Sequence, residues 1–123
     1  MEIKSYKDLN VWKNSRRLVK DIYILSENFP KHEQFGLTSQ MRRATISVPS
    51  NIAEGYARNT KKEYLQFLYI ARGSLAELET QILLAIDLLY CNQNMAEEII
   101  KDINSIQKML TTLIKKLHQH PSA

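Results

Sequence analysis

The chain has 123 residues, 17 lysines and arginines against 13 aspartates and glutamates, a formal net charge of +4, one cysteine, three glycines and three prolines. That length holds one domain with a core of its own, and the lone Cys91 excludes an internal disulfide. So few turn-forming residues argue against a sheet, and no apolar run reaches the roughly 20 residues that span a bilayer.

The N-terminal MEIKSYKDLN lacks the hydrophobic segment of a signal peptide, so the expected compartment is the cytoplasm. Cys91 is expected to be a buried, reduced thiol at the end of an apolar helix. The mild basic excess, concentrated in the first half, permits an acidic partner.

The first helix is expected over about residues 6–29, starting at Ser5 or Asp8 and ending where Pro30 pushes Phe29 out of the α region. Val11, Ser15, Leu18, Ile22, Leu25 and Phe29 recur at helical spacing and form one stripe. A second stripe, Trp12, Val19, Tyr23 and Ser26, lies about 100° round the helix. Opposite the first stripe, Lys13, Arg16, Arg17 and Lys20 form a solvent-facing basic ridge.

After the loop PKHEQFG, with Thr38 as N-cap, the second helix is expected over residues 37–58. Pro49 stands in its middle, where proline costs about 3 kcal/mol. Either two short helices meet there or one helix kinks. The kinked helix is favoured, because Leu37, Met41, Ala44, Val48 and Ile52 keep their spacing through the proline.

Thr60 and Glu63 have the capping-box spacing that opens a third helix, residues 61–91. Tyr64, Leu68, Ala71, Leu75, Leu78, Ile82, Ala85 and Leu89 make its core stripe, yet Ile70, Leu84 and Leu88 leave another side apolar too. A helix apolar on most sides must be covered on most sides. Trp12, Val19, Tyr23, Ile70, Leu84 and Leu88 are therefore expected to meet another subunit. The fourth helix, residues 95–117 with Asn94 as cap, turns Met95, Ile99, Ile103, Ile106, Leu110, Leu113 and Leu117 inward, and residues 118–123 fray. The fold expected is an all-α, antiparallel up-down-up-down four-helix bundle, kinked at Pro49, that assembles as a homo-oligomer.

Catalytic chemistry finds no support. His32, His118 and His120 lie in a loop and the tail, and no Cys-His, Ser-His-Asp, HExxH or inward Glu-x-x-His arrangement appears. The expectation is no enzyme, no metal and no cofactor. Gln40, Arg43, Asn51, Glu54, Arg72, Glu77 and Glu79 are read as an internal polar network that fixes helix register, in preference to paired catalytic carboxylates. Gly73 offers room for close backbone approach, and Gly55 either does the same or ends the second helix. Two basic groups are candidates for nucleic acid: the ridge Lys13, Arg16, Arg17 and Lys20, and Arg58, Lys61 and Lys62 at the start of the third helix, with Arg42 grouped beside them. No groove-reading motif is present, so binding would be to shape and backbone. The competing reading is a protein-protein adaptor acting through its apolar surface.

The segments YKDLNVW, FGLTSQMRRATISVPSNIAEGYAR and YLQFLYIARGSLAELETQ resemble the four-helix bundle proteins encoded in intervening sequences of 23S ribosomal RNA genes. They are similar also to the accessory variability protein of diversity-generating retroelements. The likeness covers about residues 5–90, with SVPSNIAEG and ARGSLAELET its most specific parts. Tyr6 stands where the family often has phenylalanine. The resemblance implies a homopentameric barrel of bundles with a basic surface, associated in the retroelement relatives with nucleic acid and a reverse transcriptase. By motif position, Arg42, Arg43, Asn51, Glu54, Arg58, Arg72, Glu77 and Glu79 become the family's polar signature.

Overall fold

The computed structural model describes residues 2–119. Its elements are α1 (Asn10–Ser26), α2 (Leu37–Tyr56), α3 (Lys61–Asp87) and α4 (Gln93–Gln119), with short 3-10 turns at Tyr6–Asp8 and Lys31–Glu33. The described residues contain no strand.

The first expected helix is divided. Ser5 caps the Tyr6–Asp8 turn by accepting the Lys7 amide at 3.1 Å, and Asp8 accepts the Ser5 amide at 3.1 Å. Leu9 is then extended, so α1 begins only at Asn10. At the other end Ser26 donates its hydroxyl to the Ile22 carbonyl at 2.8 Å, and α1 stops there, before Phe29. Phe29 is still buried, its ring 5.6 Å from that of Tyr90.

The N-terminus of α2 is not capped by Thr38, which is buried in its first turn. Glu33 takes that role through Oε1, which accepts the Leu37 amide at 3.0 Å. One helix, not two, then runs through Pro49 to Tyr56. Proline removes the donor that would serve the Thr45 carbonyl. Met41, Val48 and Ile52, all fully buried, hold the helix against the core on both sides of that gap.

At the start of α3, Thr60 Oγ1 accepts the Glu63 amide at 3.2 Å as expected. The helix ends at Asp87, four residues early. The Leu89 amide donates to the Ile86 carbonyl and the Tyr90 amide to the Ala85 carbonyl, at 3.0 and 2.9 Å, with Leu89 in the left-handed region at φ 62. This is a helix stop normally built on glycine. Leu89, expected on the core stripe, is thereby 89% exposed. Cys91 falls beyond the helix, half-buried, and burial pushes its thiol up.

α4 opens at Gln93 with Asn92, not Asn94, serving the first turn: its Oδ1 accepts the Met95 amide at 3.0 Å. Met95 is exposed and Ala96 takes the buried place. The helix continues to Gln119, so His118 is helical instead of frayed. Residues 120–123, including His120, lie outside the described residues.

α1 packs beside α2 and α4, and α3 beside the same two, so α1 and α3 stand diagonally across the bundle. Leu18, Ile22, Met41, Ile52, Leu75, Ile82, Ile103 and Leu110 fill the shared centre. Polar bonds tie each seam: Arg42 Nε to Ser26 Oγ at 3.1 Å, Ser74 Oγ to Ser47 Oγ at 3.0 Å, Gln107 Nε2 to the Arg72 carbonyl at 3.0 Å, and Asn14 Nδ2 to Met109 Sδ at 3.3 Å. Close approach of α2 and α3 requires Gly55, where an added Cβ would stand 2.8 Å from the Cβ of Phe67. Gly73 differs, since an added Cβ there meets nothing within 4 Å.

Candidate nucleic-acid interface

On α1, Lys13, Arg16, Arg17 and Lys20 are all exposed. They surround a hollow of about 340 Å³ floored by Trp12. Trp12 is half-buried, with the Tyr6 ring 5.3 Å away edge-on and the Arg16 guanidinium 5.5 Å from its own ring centre. Arg17 hydrogen-bonds the Asn14 side chain. Among the described residues no ridge cation lies in an ion pair. The ridge is thus four exposed cations beside an indole ring, with Asp21 near enough to Lys20 and Arg17 for their charges to act on its carboxyl.

The α2–α3 turn is different. Arg58 Nη2 lies 3.0 Å from Glu54 and Nη1 3.9 Å from Glu63, with the guanidinium 4.8 Å from the Phe67 ring centre. Two carboxylates thus compensate the charge expected to meet phosphate. Lys62 is exposed and Lys61 half-buried. Arg42 serves the α1–α2 seam, stacked 4.5 Å from the Tyr23 ring centre and bonded to Ser26.

The expected polar network is divided into separate groups. Gln40, Arg43 and Glu77 line an open groove of about 610 Å³ between α2 and α3, with Ser47 and Ser74. Asn51 donates to the Ser47 carbonyl at 2.7 Å, and Gln81 to Glu77 at 3.3 Å. Glu54 is held by Arg58. Arg72 lies on another side of α3, 5.1 Å from the Tyr69 ring centre. The reason is helical geometry: Glu77 and Glu79, two residues apart, point about 200° apart.

The residues expected at a subunit interface also separate. Trp12 and Val19 are half-buried, and Tyr23 is partly covered by Arg42. On α3 and its C-cap, Ile70, Leu84 and Leu88 are 51%, 47% and 52% exposed, and Leu83 is 47% exposed.

Sequence reading missed the long-range polar contacts. Tyr90 donates to Glu33, and Tyr69 meets His118. Such partners stand about 50 residues or more apart in the chain, where no local periodicity connects them. In the α1–α4 cleft, about 250 Å³, burial and then the facing Asp102 raise the Asp21 carboxyl above its ordinary value. Burial pushes the Tyr64 phenol up to about 12. Among the described residues no group of three His, Cys, Asp or Glu is placed to hold a metal ion, and no helix is long and apolar enough to cross a membrane.

These features define an all-helical protein of four packed helices with a cationic ridge on one helix and exposed aliphatic side chains on the diagonal one. The chain belongs to the family of 23S rRNA-intervening sequence proteins, whose profile matches residues 7–112. It is similar to a solved protein of unknown function from the S23 ribosomal protein family of Bacteroides thetaiotaomicron, at 26% identity and a TM-score of 0.77. That match covers 85% of this chain and 98% of the other. No curated protein matches the chain.

Proposed function

We propose that this protein is a non-enzymatic, homo-oligomeric, cytoplasmic bundle that binds structured RNA through its backbone. Its four helices run up-down-up-down, and α2 bends at Pro49. Support for the antiparallel order comes from cross-helix partners whose numbers run in opposite directions: Ser47 with Ser74 and Gly55 beside Phe67 on α2 and α3.

The observation that carries RNA binding is the exposed ridge Lys13, Arg16, Arg17 and Lys20 around Trp12. Phosphate contacts of this kind give affinity that falls steeply with salt. Titration of a structured ribosomal RNA fragment at two salt concentrations, with wild type and with all four ridge residues changed to Glu, tests it. The expected result is a loss of affinity and of salt dependence in the variant. Equal affinity for both proteins would remove the ridge from the account.

A second reading has its own observation. Ile70, Leu84 and Leu88 lie within about 40° of one another round α3 and its cap, an exposed aliphatic set interrupted by Glu77, with Leu83 turned about 100° or more away. It suits a second copy of the chain, as in a pentameric ring, or a protein partner such as a reverse transcriptase, which would make the chain an adaptor. Recovery of one protein partner in a nuclease-insensitive pull-down, with no RNA affinity in the purified chain, would favour the adaptor.

A further inference from the structure

The α3–α4 seam carries a second cationic construction that the ridge does not explain. The Tyr69 hydroxyl and His118 Nε2 are 2.9 Å apart, joining the first half of α3 to the last turn of α4. The Arg72 guanidinium stacks on Tyr69, 5.1 Å from the ring centre, and the Arg72 carbonyl accepts Gln107 Nε2 at 3.0 Å. Ring and backbone are thus fixed from α4, with the guanidinium placed over the ring face.

Arg72, His118 and Lys115 are exposed, and Lys115 stands three residues before His118 on the same helix side. Among the described residues Arg72 has no ion pair. Glu79, the acidic residue on that side of α3, is two turns on, roughly 10 Å along the axis. A guanidinium stacked on an aromatic face keeps its N–H edge outward, the geometry that takes two phosphate oxygens at once.

We infer that Arg72, with Tyr69, His118 and Lys115, is a second phosphodiester contact for RNA. Because α3 is diagonal to α1, it takes a different stretch of backbone from the ridge. The inference rests on the RNA-binding reading and adds to it a surface outside the ridge. Stacking and hydrogen bonding make this seat, where the ridge relies on charge density.

The test measures the affinity of a structured RNA hairpin across a salt series. The proteins are wild type, the ridge variant, Arg72→Glu with Lys115→Glu, the two sets combined, and Arg72→Gln as a milder change; thermal melting confirms that each is folded. The expected result is a several-fold loss for the α3–α4 variant, with the salt slope lowered by about one per phosphate contact removed. Losses from the two sets should multiply, as for separate contacts. Tyr69→Phe, which frees His118 and keeps the stack, should lose less than Arg72→Gln.

Wild-type affinity in the α3–α4 variant, with a weakened ridge variant, would overturn this inference and leave the ridge standing. The reverse pattern would keep this contact and remove the ridge. A wild type whose RNA binding is absent or independent of salt would overturn both. Saturable binding of inorganic phosphate alone at Arg72, without any effect of the variants on RNA, would also overturn it.

Discussion

The Tyr90 hydroxyl donates to Glu33 Oε2 at 2.9 Å, while the other oxygen of the same carboxylate accepts the Leu37 amide. One side chain therefore caps α2 and fastens the α1–α2 connection to the turn after α3. His32 Nε2 lies 3.3 Å from the same hydroxyl. The Leu37 amide first, and then the Tyr90 hydroxyl, hold the Glu33 carboxyl below its ordinary value of 4.5. A carboxylate favoured in the folded state contributes stability above its unfolded value and loses it as pH falls through the folded one. Tyr90→Phe should therefore destabilise the protein at neutral pH, and the gap from wild type should close as pH falls below about 4.5. Urea unfolding of both proteins at several pH values checks this. The same bond raises the Tyr90 phenol above 10.0, so its contribution should also fade as pH climbs past that value.

Two glycines should respond to alanine in opposite directions. At Gly55 the new methyl meets the Cβ of Phe67 at 2.8 Å and the Tyr64 carbonyl at 3.2 Å. Overpacking of this kind costs about 1–3 kcal/mol. At Gly73 the methyl enters open space, and replacing a mid-helix glycine should stabilise by about 0.5–1 kcal/mol. Denaturant midpoints measure both. A destabilised Gly73→Ala protein would show that another chain's backbone reaches that face.

Exposed aliphatic side chains on α3 give a test of assembly independent of RNA. Ile70→Glu, Leu84→Glu and Leu88→Glu together alter only side chains that are about half exposed in the single chain. The variant should remain helical by circular dichroism. Light scattering should return a multiple of 14.3 kDa for wild type and a mass near 14.3 kDa for the variant. A wild type that is itself monomeric at micromolar concentration would dispose of the oligomer.

Arg58 should matter little to RNA. Glu54 and Glu63 compensate its charge, so Arg58→Gln should leave the salt slope of RNA binding unchanged. Its ion pairs are substantially exposed, and stability should move by less than about 1 kcal/mol. A loss comparable with that of the ridge variant would return Arg58 to the interface.

The sequence by itself determined the helices and their buried stripes, because a period of 3.6 residues is a local property that a core reads directly. Leu18, Ile22, Leu75, Ile82 and Leu110 are buried as their spacing requires, and the ridge on α1 faces solvent for the same reason. Tertiary structure decided the ends and the polar partnerships. Glu33 displaced Thr38 as the cap of α2 through a carboxylate from the preceding loop, and Leu89 left the core stripe when α3 stopped short. Arg58 was taken by acids from two helices, and Arg72 by an aromatic ring on the opposite side from Glu77. A side chain's reach along its own helix follows from spacing alone, but which carboxylate, ring or hydroxyl stands across the seam depends on where the packed helices come to rest.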